Sequence, residues 1–109
     1  MHEMAVTQSI VDAVCERLDG ARVRVLALEI GTLSGVVPDA VRFCFDLAAE
    51  GTPLAGARLE IAEPPGLARC RVCEAEFRLD DLIALCPCGS ADVGIISGRE
   101  LRIRSMEVL

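Results

Sequence analysis

Four cysteines in two close pairs constrain the fold of this chain more than any other feature. They are Cys70, Cys73, Cys86 and Cys88. Two chelating pairs of thiolates are the usual ligands of a tetrahedral structural zinc ion, which binds sulfur at about 2.3 Å. The first pair has the common two-residue spacer, whereas the second has one residue, Pro87. The short spacer keeps both sulfur donors, but it predicts a tilted ligand or a weakened amide-to-sulfur hydrogen bond.

Two disulfides are the alternative interpretation of the same cysteines, and four cysteines allow three pairings. Stable disulfides need an oxidising compartment. The chain start, Met1–Met4, lacks the basic region of a secretion signal, and no apolar run reaches the length of a membrane span. We therefore favour zinc, and we expect a cytoplasmic protein that does not cross a membrane.

The charge and composition argue against two broad classes of function. The net charge is −6, with 11 basic residues that are all arginine, and the chain has no Trp or Tyr. An acidic chain without stacking aromatic residues is poorly suited to nucleic acid. The absence of lysine excludes a P-loop, and the single histidine, His2, leaves the interior without a histidine-based triad. Four thiolate ligands also leave a zinc ion without an open coordination position for substrate, so we expect no enzymatic activity.

Apolar periodicity and turn residues predict two helices and three strands outside the cysteine pairs. The helices span residues 4–19 and 38–50, and the strands span 22–30, 58–63 and 99–109. The apolar stripe of the first helix comprises Val6, Ile10, Val14 and Leu18. Cys15 and Cys44 are expected to pack as small hydrophobic residues on the two helices. In the last strand, the phase shift near Arg104 and Ser105 predicts a β-bulge.

The order of these elements predicts an α+β fold with an insertion. A lone strand at the end of the chain is marginal in water, so it must pair with the earlier strands. We expect a three-stranded sheet with both helices on one face. A zinc-ribbon-like module that carries the four cysteines is inserted after Pro64-Pro65-Gly66 and ends near Gly98. We expect short strands in this module around Phe77 and at residues 93–96. The predicted domains are residues 1–66 with 98–109, and the inserted zinc-binding residues 67–97.

The chain start is a second candidate metal site. The Met1 amine, the His2 imidazole and the intervening amide can bind one metal ion together, and the Glu3 amide can complete four nitrogen donors. Square-planar nitrogen ligation suits Ni(II) or Cu(II). Imidazole binds metal only when neutral, so uptake should fail below about pH 6.5. An exposed histidine near a chain start is common, and by itself this feature leaves the ligand role open.

Several motifs together resemble the HypA/HybF family of hydrogenase-maturation nickel metallochaperones. They are the opening Met-His-Glu, the helix end at residues 43–47, the four cysteines, Gly89-Ser90, and the closing segment at residues 101–108. The resemblance covers essentially the whole chain in order. It departs from the common family pattern at the single-residue spacer, Pro87.

Membership of that family implies a function and a set of ligands. Ni(II) would be held by His2 with the Met1 amine and the first backbone nitrogens, including that of Glu3. The four cysteines would hold structural Zn(II). The protein would pass nickel, with the GTPase HypB as partner, toward the large subunit of a [NiFe] hydrogenase, and some relatives also serve urease maturation.

The alternative is a zinc-ribbon interaction module without a nickel role. Its partner surface could then include Arg69, Arg71 and Arg78, but we favour the simpler interpretation that these arginines offset the negative charge of a zinc tetrathiolate. An exposed sheet edge or the zinc module could support a homodimer or a domain swap, and the sequence leaves both open.

Overall fold

The computed structural model of the chain describes residues 3–109. In this part of the chain there are two helices and six strands. The helices are α1 (Glu3–Arg17) and α2 (Pro38–Ala49). The strands are β1 (Val23–Ile30), β2 (Arg58–Ala62), β3 (Gly66–Cys70), β4 (Glu76–Leu79), β5 (Val93–Ser97) and β6 (Leu101–Val108). None of the described helices is long and apolar enough to cross a membrane.

A three-stranded sheet with the order β2-β1-β6 forms what we call the α/β body, together with α1 and α2. The β1 strand runs parallel to β2, which follows it through α2, and antiparallel to β6. Buried side chains of both helices pack on one face of β1, against Leu26, Leu28 and Ile30. This arrangement confirms the predicted sheet with two helices on one face and the return of the last strand to it.

Two bulges adjust which side chains face the helices. In β6, Ala27 pairs with Ser105 and Leu28 pairs with Ile103, so Arg104 has no partner on β1. The predicted bulge near Arg104 is therefore confirmed. A second register shift leaves Arg24 of β1 unpaired. Each extra residue reverses the alternation of side chains, which keeps apolar residues on the helix side along both strands.

The buried face of α1 includes most of the predicted stripe. Val14 is buried, and Ile10 and Leu18 are partly buried and pack against the core. Two further residues, Thr7 and Val11, are fully buried on this face. A threonine can occupy the core because its hydroxyl donates to the Glu3 carbonyl oxygen at 2.6 Å, which satisfies its polar group.

A second three-stranded sheet, all antiparallel with the order β4-β3-β5, forms what we call the cysteine module, residues 66–97. Strands near Phe77 and residues 93–96 were predicted, but β3 was not. The five residues of β3 begin directly after Pro65 and end in Cys70. The strand was missed because it is short and because the residues at its two ends are typical of a turn and of a metal ligand. The buried core of this module is small and comprises Leu33, Ala68 and Leu79.

The cysteine module joins the α/β body through a tight joint. A Cβ atom at Gly31 would overlap the carbonyl oxygen of Gly98, and a Cβ atom at Gly66 would lie 2.8 Å from Cδ1 of Leu33. Leu33 lies in the β1–α2 loop, donates its N–H to Gly98 at 2.7 Å and places its side chain in the module core. Close backbone approach and one shared apolar side chain therefore fix the module to the body.

Candidate metal centre

The four predicted zinc ligands converge in the cysteine module. Cys70 ends β3, Cys73 lies in the following turn, and the other two lie in the loop before β5. All four sulfur atoms lie within 4.8 Å of one another. The chain therefore brings together Cys70, Cys73, Cys86 and Cys88, as the sequence predicted.

The sulfur spacing fits one tetrahedral ion. Cys70 Sγ lies 3.8 Å from Cys88 Sγ, and Cys73 Sγ lies 3.6 Å from Cys86 Sγ. A tetrahedron with zinc–sulfur bonds of about 2.3 Å has sulfur–sulfur edges of about 3.8 Å. A disulfide needs about 2.05 Å between the sulfurs, and all four cysteines are free thiols. The donor set of four soft thiolates at this spacing fits a closed, structural zinc site.

The first pair of cysteines forms a turn that directs backbone N–H groups at a ligand sulfur. The N–H groups of Val72 and Cys73 both approach Cys70 Sγ at 3.4 Å. Cys70 also donates its N–H to Ala75 at 2.9 Å, and Glu74 donates to the Cys70 carbonyl at 3.0 Å. This closure holds Glu74 in the left-handed region, at φ 64°. Two amide dipoles thus favour the thiolate form of Cys70.

The second pair forms the same kind of turn with one residue fewer. Cys86 donates its N–H to Ser90 at 2.9 Å, and Gly89 donates to the Cys86 carbonyl at 2.8 Å. The left-handed position falls on Gly89, at φ 95°, where glycine is favoured. Within residues 3–109, Cys86 Sγ accepts one amide hydrogen bond, from Cys88 at 3.4 Å. The short spacer therefore preserves the fold of the turn and removes one amide-to-sulfur hydrogen bond.

The pKa values of the Cys70 and Cys86 thiols are shifted in opposite directions. The N–H groups of Cys73 and Val72 lower the pKa of the Cys70 thiol to about 6, although burial opposes them. The Cys88 N–H also lowers the pKa of Cys86, but burial and the neighbouring thiols outweigh it and raise the pKa of Cys86 to about 12. A bound cation must displace the Cys86 proton, so metal affinity should fall as the pH falls.

Two of the three arginines near the cysteines have carboxylate partners. Arg71 bonds Asp92 at 2.9 Å, and Arg78 bonds Asp80 at 3.2 Å. All four of these side chains are largely exposed. Charge compensation of the sulfurs by these two arginines is therefore weaker than expected, because each already faces an acidic group.

The predicted nickel ligands Met1 and His2 lie outside the described residues. Glu3 begins α1, and its carboxylate Oε2 accepts a hydrogen bond from the Val37 N–H at 3.2 Å. Val37 is the N-cap of α2 and supplies no side-chain cap of its own. The Glu3 carboxylate therefore serves as a cap from another helix, a role that no sequence pattern indicated because the two residues are 34 positions apart.

Comparisons with known proteins agree over the whole chain. The family model described as "Hydrogenase/urease nickel incorporation, metallochaperone, hypA" matches residues 1–108. Proteins named hydrogenase maturation factor HypA from Trichormus variabilis and Nostoc punctiforme are 52% and 51% identical over 108 residues, which is 99% of this chain and 96% of each relative. The protein of that name from Geotalea uraniireducens is 50% identical and is covered over 99% of its length.

A solved structure is similar in fold as well as in sequence. The solution structure of the Ni metallochaperone HypA from Helicobacter pylori matches with a TM-score of 0.68 and 28% identity. The match covers 100% of this chain and 98% of that one. Sequence and fold thus indicate the same family.

Proposed function

The chain belongs to the HypA family and is a nickel metallochaperone of hydrogenase maturation, and we propose that it carries Ni(II) on its first residues and Zn(II) on its four cysteines. The observation that carries the function is the match of the family model over residues 1–108. The zinc assignment rests on the four clustered sulfurs. A metallochaperone needs no catalytic group, and we propose that this chain has no enzymatic activity of its own.

We propose three nickel-binding residues, Met1, His2 and Glu3, which contribute the terminal amine, the imidazole and backbone amide nitrogens. Square-planar nitrogen donors suit Ni(II). The hydrogen bond from Val37 engages the Glu3 carboxylate, which supports a backbone rather than a carboxylate role for Glu3. A site of this kind releases its ion when the imidazole is protonated or when a partner offers competing ligands, as delivery requires.

The two proposed domains are distinguished by the metal ion that each would bind. We propose a nickel-binding α/β domain of residues 1–66 and 98–109, and an inserted zinc-binding domain of residues 67–97. The structure begins β3 at Gly66, one residue before the proposed boundary. We also propose the cytoplasm as the location, HypB as the GTPase partner, and the [NiFe] hydrogenase large subunit as the destination, with urease maturation factors as further recipients.

The proposed nickel site is tested with His2→Ala in untagged, zinc-loaded protein. We expect calorimetry with Ni(II) to show one site in the native chain and none in the variant. Zinc content and the circular dichroism spectrum should be the same in both proteins. Unchanged nickel affinity in His2→Ala would contradict the assignment and favour the zinc-ribbon interaction module.

The role of the Glu3 amide is tested by comparing Glu3→Pro with Glu3→Ala. Proline suits the first position of a helix, so α1 should tolerate it, but it has no N–H to lose to a metal. Both variants lack the carboxylate that caps Val37. We expect weaker nickel binding in Glu3→Pro than in Glu3→Ala, and equal affinities would remove the Glu3 amide from the ligand set.

A further inference from the structure

The four sulfurs of the cysteine module differ in their access to solvent. We call residues 70–73 the first turn and residues 86–88 the second turn. Cys73 and Cys88 are exposed, whereas Cys70 and Cys86 are buried, so each turn contributes one exposed and one buried cysteine. The susceptibility of a cysteine to oxidation follows its thiolate character and its exposure. A dissolved oxidant should therefore react first with the exposed cysteine of each turn.

Each exposed sulfur lies beside a buried sulfur of the opposite turn. Cys73 Sγ is 3.6 Å from Cys86 Sγ, and Cys88 Sγ is 3.8 Å from Cys70 Sγ. A disulfide has a sulfur–sulfur distance of about 2.05 Å, so the two sulfurs of each contact need to approach by less than about 2 Å. A second cysteine next to an accessible one is also what converts a first oxidation product into a disulfide. Both contacts are therefore candidates for reversible disulfides.

The short spacer of the second turn disfavours a disulfide within that turn. Pro87 alone separates Cys86 from Cys88, and its ring fixes φ at about −65°. The backbone hydrogen bonds from Cys86 to Ser90 and from Gly89 to Cys86 hold the same turn. These constraints oppose any backbone adjustment that a bond between Cys86 and Cys88 would require. Pairing between the turns is the arrangement that uses all four sulfurs without such a bond.

We propose that the cysteine module is a peroxide-sensitive switch, in which oxidation joins Cys73 to Cys86 and Cys70 to Cys88 and releases the metal ion. The inference rests on the proposed zinc site and adds a second, metal-free state to it. Disulfides of cytosolic proteins are usually transient and catalytic or redox-sensing. A site that exchanges a metal ion for two disulfides is of the redox-sensing kind.

Each disulfide consumes one molecule of hydrogen peroxide. The Cys73 thiolate attacks a peroxide oxygen, an S–O bond forms, the O–O bond breaks, and hydroxide leaves, so that the sulfur becomes a sulfenic acid. The Cys86 thiolate then attacks that sulfur, an S–S bond forms, the S–O bond breaks, and a second hydroxide leaves. Two protons from solvent convert both hydroxides to water. The same steps at Cys88 and Cys70 use a second peroxide, and the metal ion is lost because the thiolate, not the disulfide, is the metal ligand.

The oxidised module should stay folded. Its two disulfides would join residues 13 and 18 positions apart, and they would connect the turn after β3 to the loop before β5. The metal ion would make the same connection in the reduced chain. Small domains compensate for a small core with either disulfides or a structural metal. Oxidation should therefore release zinc while β3, β4 and β5 remain protected from hydrogen exchange, whereas chelation of the reduced chain should abolish that protection.

The test treats the zinc-loaded full chain with excess hydrogen peroxide after the reductant has been removed. A chromophoric chelator should report the release of one zinc ion per chain, and dithiothreitol with added zinc should restore the bound ion. Trypsin cleaves after each arginine and so separates Cys70 and Cys73 from each other and from the second turn. Mass spectrometry of the unreduced digest should find all three peptides linked, and fragmentation before Pro87 should assign each bond to Cys86 or Cys88.

The matched control is the double variant Cys15→Ser with Cys44→Ser, which removes the two cysteines outside the cluster. It should release zinc at the same peroxide concentration as the native chain, and a weaker response would place the sensing thiol on a helix and overturn the proposal. A chain that holds no zinc before oxidation would remove the zinc assignment and this inference together. A zinc-loaded chain that keeps its zinc in peroxide, or that pairs its cysteines in any other way, would overturn the switch alone.

Discussion

The α/β body and the cysteine module bury very different amounts of apolar surface. The body has twelve buried hydrophobic residues in one cluster among the described residues, whereas the module has three. One of those three, Leu33, belongs to the β1–α2 loop of the body. A core of this size cannot offset the conformational entropy of some thirty residues, so we expect the module to depend on the proposed zinc ion and on its attachment to the body.

Removing the metal should produce the largest difference in stability between the α/β body and the cysteine module. Structural zinc contributes roughly 10–16 kcal/mol in zinc-finger peptides. Its removal should therefore destabilise the cysteine module more than any single substitution in the apolar core would. We expect chelation, or Cys70→Ser, to abolish amide protection in β3, β4 and β5 while β1 stays protected. Hydrogen exchange measured residue by residue checks this result.

Cys44→Ser is the matched control for that prediction. Cys44 is half-buried on α2 and lies outside the four-sulfur cluster, so its substitution should leave zinc content and module protection unchanged. Retained protection of β3–β5 after complete loss of zinc would show that the small apolar core suffices.

Two leucine truncations should act on different regions. Leu26 is fully buried in the body, so Leu26→Ala should lower the free energy of unfolding of the body by roughly 2–5 kcal/mol without changing zinc affinity. Leu33→Ala should cost about 2 kcal/mol, near the low end of that range, and should act on the module by removing a third of its core.

Urea unfolding and competitive zinc titration on both variants distinguish these outcomes. Weaker zinc binding is expected only in Leu33→Ala. If Leu33→Ala left zinc affinity unchanged, the contact through Leu33 would not couple the stability of the body to that of the module.

Within the module, the two cysteine turns should respond to spacer length. Inserting one residue after Pro87 restores the common spacer and provides a second amide for Cys86 Sγ. A hydrogen bond to a charged group contributes roughly 1.5–3 kcal/mol, so zinc affinity should rise by roughly ten- to a hundredfold. Deleting Val72 removes one of the two amide bonds to Cys70 and should lower the affinity by a similar factor. Competition with a chromophoric chelator measures both changes, and a fall in affinity on insertion would contradict the role assigned to the missing amide.

The smallest effect concerns an ion pair in the body. The hydrogen bond from Arg102 lowers the pKa of Glu29 below its ordinary value, although burial opposes it. A depressed folded-state pKa stabilises the protein above the unfolded value of about 4.5 and loses that stabilisation as the pH falls through the folded value. The native chain should therefore melt at a higher temperature than Glu29→Gln at pH 7, and the two should converge in acid. Melting curves from neutral pH into acid check this, and a constant difference would exclude the ion pair as its source.

The elements and the ligands could be predicted from the sequence because their signals are local. Apolar periodicity indicated both helices, and the phase shift at Arg104 indicated a bulge that the register confirms. The spacing of the cysteines indicated the cluster that the structure brings together. The apolar stripe of α1 was predicted for Val14, Ile10 and Leu18, which pack in or against the core. Thr7 was missed, because a threonine is polar and becomes a core residue here only through its hydrogen bond to the Glu3 carbonyl.

The sequence by itself determined the helices, the strands of the body, the insertion and the four sulfur donors, since each depends on residues close together in the chain. Only the tertiary structure decided how distant segments meet. It placed Leu33 in the module core, the Glu3 carboxylate on the N-cap of α2, and an open apolar groove beside β6. Such contacts depend on the relative positions of elements that are far apart in sequence, and local patterns do not encode those positions.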